Sequence, residues 1–561
     1  MIHCRNRLRI FCASLAATFA IPTAGSFADT AHSHESCSAM AEHEHDAHLG
    51  NYSLPITTGD ARVQKLFDEG INWTYGFNHA EAETKFREAA ALDPDCAMCY
   101  WGIALVQGPN INAPMSSAAV PKAYQALQRA LTKMQFASPK EQALIRALAQ
   151  RYTSKVLKDR SPLDRAYAVA MSKVAKEFPD DLDLSVLAVE AKMDTMPWNY
   201  WTEEGKPREG TEEMIATLRR VLKKEPRHPG ANHFLIHIVE KVRPELAEKA
   251  ADTLVNLLPS AGHMQHMASH IYLRVGRYHD AVRVNQMAIK ADKEFLKMCP
   301  TSSDFYRSLY VPHNYDFLIA AAILEGREKL ARQTANELRA YIEPLLITSP
   351  EGLDLQNFWS APLMTALRFQ DWDAVLAQKE PRKEWTYARG LWHFGRAMAL
   401  IGLGREEEGR KEIVQLRTIV KSPSMQKSML MGLNSASSVL NIGLQEARAA
   451  LAMSRDKPET AVGYLKLAVN LQDHLTYIEP PAWYRSLRLP LGHVYQEMGR
   501  YADAERAFKE DLKTYPKNGW ALYGLYRNQK SQNLTDDSLV AFDAFNAAWK
   551  YADADLEKIE F

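Results

Sequence analysis

Residues 63–94 read VQKLFDEGINWTYGFNHAEAETKFREAAALDP, and the placing of small and aromatic residues in this stretch decides the fold. Counted from Val63, Gly70, Ala82, Phe86 and Ala89 fall at the small, small, aromatic and small positions of a helix-turn-helix unit of about 34 residues, and Pro94 ends it. Such a helix pair cannot bury its apolar face alone, so units must stack into a superhelix. The frame recurs. From His228 it gives Ala247, Ala251 and Pro259, and from Gly262 it gives Tyr272, Gly276, Tyr278, Ala281 and Ala288. Further units start near Pro312, Gly390 and Arg485, with degenerate ones at 167–179 and 434–468. Proline and glycine fall between helical patterns rather than between alternating strand patterns, so the fold class is all-α.

The chain of 561 residues is 46% hydrophobic and 24% charged, enough for a large core. Lys+Arg and Asp+Glu both count 68, so there is no basic excess for nucleic acid. Arg5, Arg7 and Arg9 precede an apolar run from Ile10 to Ile21 and the small-residue site Ser26-Phe27-Ala28. This pattern predicts a signal peptide over 1–28 and a periplasmic or secreted protein. No later run reaches the roughly 20 apolar residues of a membrane span. Residues 29–53 are polar and carry His32, His34, His43, His45 and His48 around Cys37. They read as a flexible arm, either for weak capture of copper, zinc or nickel or as a solvated linker. From 54 to 561 the expectation is one continuous tetratricopeptide-type (TPR) solenoid without a separate catalytic domain.

Three further stretches carry a more specific likeness: HPGANHFLIHIVE from His228, PSAGHMQHMASHIYLRVGRYHDA from Pro259, and DCAMCYWGIAL from Asp95. With the C-terminal EPPAWYRSLRLPLGHVYQEMGRYADAERAFKEDLKTYPKNGWALYGL, the chain resembles a group of bacterial exported TPR proteins. The resemblance implies the fold and export, and no activity.

The first helix of each TPR unit lines the concave surface, through positions 2, 5, 9, 12 and 13. Counted from Gly262, His263, His266 and His270 occupy positions 2, 5 and 9. At 100° per residue they span about 60° of the helix and point into the groove. One unit earlier His233, His237 and Glu240 share a face on its flank, and one unit later His313 and Asp316 fall at positions 2 and 5. Neighbouring helices at about 8–10 Å let facing imidazoles close on one ion at about 2.0–2.1 Å. The candidate metal ligands are therefore His233, His237, Glu240, His263, His266, His270 and His313. Imidazole with carboxylate suits zinc, copper or iron, and Met264 and Met267 favour copper. The plainer alternatives are histidines that bond a peptide or protein in the groove, and methionines that only pack. His493, alone in its unit, belongs to the plain reading.

Cys96 and Cys99 form either a local disulfide or a redox or metal-capturing pair, and Cys299 stays unassigned. The run from Met196 to Trp201 walls a pocket or packs an irregular loop, as do Trp483 and Trp520. Hydrolase, phosphate-loop and zinc-protease motifs are absent. Catalysis therefore enters only through a metal, with Glu240 or Asp316 as base. Three readings stand: a metal-binding solenoid, a metal-free interaction scaffold, and a metal-dependent enzyme.

Overall fold

The computed structural model describes residues 49–299, 302–349, 352–483 and 485–556. The signal sequence at 1–28 and residues 29–48 of the arm, with Cys37, lie outside the described residues.

The chain is an all-α TPR-type solenoid. The opening unit pairs Ala61–Tyr75 with His79–Leu92. Asp60 caps the first helix by accepting from Arg62 N–H, and Asn78 caps the second through Glu81 N–H. Later pairs are Ser161–Glu177 with Leu182–Met193, Val311–Leu324 with Glu328–Thr348, Thr386–Gly402 with Glu406–Val420, and Arg488–Glu497 with Tyr501–Thr514. Among the described residues the only sheet is the two-residue ladder Met429–Leu430 with Asn434–Ser435.

One turn geometry recurs between paired helices, though not between Glu177 and Leu182. A left-handed residue follows the first helix, and the next N–H reaches back five residues, as from Arg277 to Tyr272 O and from Arg500 to Tyr495 O. Gly276, Gly326, Gly404 and Gly499 take this position with φ of 75°, 74°, 75° and 70°. In the first unit Phe77 takes it at φ 58°, which strains the backbone by about 1–3 kcal/mol.

Within 49–53, Leu49 is buried, and the Tyr52 hydroxyl donates to Asp183 and lies 3.1 Å from His228 Nε2, while Gly50, Asn51 and Ser53 are exposed. The superhelix also winds back on itself. Tyr278 OH donates to Pro516 O at 2.7 Å, Trp520 Nε1 to Ile323 O at 2.9 Å, and Arg485 Nη1 to Leu367 O at 3.0 Å. The N-terminal part reaches the middle too, with Trp73 of the first unit and Phe295 rings 5.7 Å apart and Asn112, in the loop after Ala97–Val106, donating Nδ2–H to Tyr310 OH at 3.1 Å. Contacts of this kind bury the face that the repeat register leaves open, including His233, His263 and His266.

Candidate functional site

Three helices position the ladder. Pro229–Val239 starts at His228, whose Nδ1 accepts from Ala231 N–H at 3.2 Å. Gly230 lies so close to Tyr75 that a Cβ there would stand 2.5 Å from the ring, and this contact fixes the helix against the first unit. Gly262–His266 continues past Met267 into Ala268–Val275. A Cβ on Gly262 would meet Asp292 Oδ1 at 2.0 Å, so this helix too rests directly on its neighbour. Val311–Leu324 follows a π-helical turn, Tyr306–Tyr310, which turns Tyr310 onto His263 at 4.6 Å between ring centres.

These helices bring the histidines into three groups whose ligand atoms lie within 4.8 Å of one another: His233, His237 and His263; His266, His270 and His313; and Glu240, His270 and Glu479. Two ligands at 2.0–2.1 Å from one ion stand at most about 4.2 Å apart, so small rotamer changes close each group. The first two groups adjoin, with ring centres of His263 and His266, and of His237 and His270, 6.1 Å apart. His233, His237, His263, His266 and His270 are all buried, and His313 is partly exposed. His263, His266 and His270 were expected to point into an open groove, with His233 and His237 on its flank; Phe77 of the first-unit turn and the segment carrying Glu479 pack against the cluster instead.

Two rings are held by their outer nitrogens. His233 Nδ1–H donates to Tyr75 O at 2.6 Å and leaves Nε2 without a hydrogen-bond partner. Asn285 donates Nδ2–H to Ala281 O at 2.8 Å, which turns its Oδ1 to accept from His266 Nδ1–H at 2.7 Å. The His266 lone pair at Nε2 therefore faces the cluster, 3.0 Å from His270 Nε2. Both ring nitrogens of His237 and His263 lack a hydrogen-bond partner. Outer-nitrogen anchoring of this kind fixes the tautomer of metal-binding histidines.

Burial, and then neighbouring imidazoles, hold His233, His263 and His266 well below the usual histidine value. Burial likewise lowers His237, and takes His313 down to about 3. These rings are neutral, the state a metal requires. Burial alone also lowers His270, but the adjoining Glu240 and Glu479 carboxylates outweigh it and lift it to about 9. Burial pushes Glu240 up, but His270 and His237 overcome this and bring it down to about 2.

Aromatic rings wall the cluster. Phe77 stands 4.6 Å from His233 and 6.0 Å from His263, Trp198 5.1 Å from His237, and Phe317 4.5 Å from both His266 and His270. Trp198 thus lines the site, whereas Trp201 packs and donates Nε1–H to Ile238 O at 2.6 Å. Met264 and Met267 are fully buried core residues. Asp316 is buried outside the three groups, and burial pushes it up to about 7. His493 is buried away from them against Phe508. Cys96 and Cys99 form the local disulfide, and Cys299 Sγ lies 3.9 Å from Glu81 Oε2. Glu479 is the residue that register counting misses, because it lies in the irregular segment before the unit starting near Arg485. Its one mark in the sequence is an acid inside the otherwise apolar run Tyr477-Ile478-Glu479-Pro480-Pro481.

Fold and site together define a TPR-type solenoid with a buried imidazole and carboxylate chamber. No protein-family model and no curated protein matches the chain. Among solved structures it is similar to human IFIT1 in a dimer with m7Gppp-AAAA, at 12% identity over 88% of this chain and 91% of that one, TM-score 0.30. It is also similar to a chain of the APC/C hetero-tetramer Cut9–Hcn1, at 11% identity over 89% and 96%, TM-score 0.26. A third is the TPR domain of P58(IPK), at 12% identity over 85% and 99%, TM-score 0.20. The likeness is one of repeat fold alone. No helix among the described residues is long and apolar enough to cross a membrane.

Proposed function

We propose that the protein binds a transition-metal ion of the zinc, copper or iron group in its buried centre, through imidazoles drawn from His233, His237, His263, His266, His270 and His313, with the Glu240 carboxylate beside them. One observation carries this reading: buried imidazole nitrogens converge without hydrogen-bond partners, while His233 and His266 are anchored from behind. A buried polar atom left without a partner costs about 1–3 kcal/mol, and five such nitrogens on His233, His237 and His263 are too many for packing alone. A cation takes one nitrogen from each of the three rings, and so satisfies three of the five together. The imidazole and carboxylate donors do not by themselves rank zinc, copper and iron. On this reading a signal at 1–28 would carry the protein to an oxidising compartment, where a disulfide such as Cys96–Cys99 persists.

The test is elemental analysis of protein purified without a histidine tag, followed by chelation and reloading. A tightly held metal that His266→Ala with His270→Ala removes supports the proposal. No copurifying metal, together with uptake unchanged in that double variant, refutes it. A second reading, a scaffold for protein partners, is supported by the TPR fold and by apolar side chains exposed on the last helix, Leu539 at 55% and Val540 at 71%. It predicts partner capture that chelation leaves unchanged.

A further inference from the structure

On the side of His270 turned away from the imidazole cluster, its Nδ1 lies 2.9 Å from Glu240 Oε2 and 3.4 Å from Glu479 Oε2. A single Nδ1–H faces two carboxylates, so it cannot serve both fully. The three ligand atoms lie within 4.8 Å of one another, a spacing that a shared ion can close. Glu240 and Glu479 are 1% and 9% exposed, and in this buried setting an ion would stand in place of the His270 proton as their counter-charge, beside Arg274.

Beside this group lies a cavity of about 280 Å³, lined in part by Arg274, Tyr477, Glu479, Gln472 and Arg488. Glu479 therefore belongs both to the ligand group and to the cavity wall. Arg274 is fastened by Nη2–H to Lys241 O at 3.1 Å and stands 3.6 Å from Glu479 Oε1, its Nε having no hydrogen-bond partner. A guanidinium fixed at one end, with a donor left over beside a small cavity, is suited to an anion.

We propose that Glu240, Glu479 and His270 through Nδ1 form a second metal centre, distinct from the all-imidazole group, whose remaining coordination positions face the Arg274 cavity and take a small anion. This rests on the metal-binding reading above and deepens it. Two carboxylates and one imidazole make a harder donor set than three imidazoles, so the two centres favour different ions. Three protein ligands leave positions for water or an anion, as in sites where chemistry occurs, whereas a group enclosed by Phe77, Trp198 and Tyr310 is shielded. His270 joins the two: Nε2 faces His266 and Nδ1 faces the carboxylates. Filling both sides takes both ring protons, one for each ion.

The test loads the full-length chain with zinc for stoichiometry and with cobalt(II) as an optical probe, then adds azide. Glu479→Gln should bind one equivalent fewer than the wild type and lose the azide-induced change in the cobalt spectrum. Glu240→Gln, isosteric and on a different segment, should reproduce both losses. His233→Ala should lose an equivalent yet keep the azide response. If both carboxylate variants keep wild-type stoichiometry and azide response, the second centre is refuted while the imidazole site stands. A wild type that takes up no ion overturns the metal-binding reading itself, and this inference with it.

Discussion

Replacing Gly230 with alanine tests how the site is built. The added Cβ would sit 2.5 Å from Tyr75 Cδ1 and 2.6 Å from Cε1, about 0.9 Å inside an ordinary contact of roughly 3.4 Å. The Tyr75 ring cannot swing away, because it is 1% exposed and packed against Tyr52, His228 and Phe234 at 6.0, 5.5 and 6.1 Å. The helix Pro229–Val239 must therefore move by close to 1 Å, and the 2.6 Å bond from His233 to Tyr75 O lengthens or breaks. Overpacking of this kind costs about 1–3 kcal/mol. Gly463 supplies the control: it lies inside the helix Pro458–Asp473 with nothing within 4 Å of an added Cβ. There alanine should stabilise by about 0.5–1 kcal/mol through helix propensity. Urea unfolding of both variants, followed by metal titration, gives opposite signs of stability change, with metal affinity reduced in Gly230→Ala only. Equal stability and affinity in both would falsify the claim that this glycine sets the helix against the first unit.

Asn285→Leu removes the acceptor for His266 Nδ1–H and should lower metal affinity about 10–100-fold, whereas Asn285→Asp, which still accepts, should not; chelator competition measures both. Burial raises Asp316 to about 7, so its folded-state value lies above the unfolded one: its contribution is most favourable below about pH 4 and is lost as pH rises through 7. Relative to Asp316→Asn, the wild type should lose on the order of 3 kcal/mol of unfolding free energy between pH 4 and pH 8, and parallel pH curves for the two proteins would contradict this. The Cys96–Cys99 bridge closes a very short loop, so Cys96→Ser with Cys99→Ser should cost at most about 2 kcal/mol and leave metal content unchanged. A drop in bound metal in that double variant would return the cysteines to the metal chemistry.

The repeat frame was legible because each unit repeats the same demand: small residues where helices touch, an aromatic to fill the gap, and glycine where φ is positive. Gly276, Gly326 and Gly499 all satisfy it. The histidine ladder was legible for the same reason, since spacings of three and four residues are fixed by the helix itself. Its environment was not. Whether His263 faces water or protein depends on contacts such as Tyr278 with Pro516, which join residues far apart in the chain and leave no local pattern. Glu479 was hidden likewise, because a loop residue has no register. Phe77 stands where the turns at 276 and 326 use glycine, as do Gln370, Asp456 and Asn533 in their own turns. At Phe77 the ring covers three histidines.

The back-folding of the superhelix also alters how the molecule should come apart. An open repeat array behaves as a row of neighbours, and end units can fray or be deleted at a cost local to the break. Here the last units grip the turns at 276 and 326, and the first unit seals the middle. The array is closer to a ring than a row. Trimming the C-terminal helices should therefore loosen residues some 200 positions away in sequence, and such loosening would appear as faster amide exchange across 262–324.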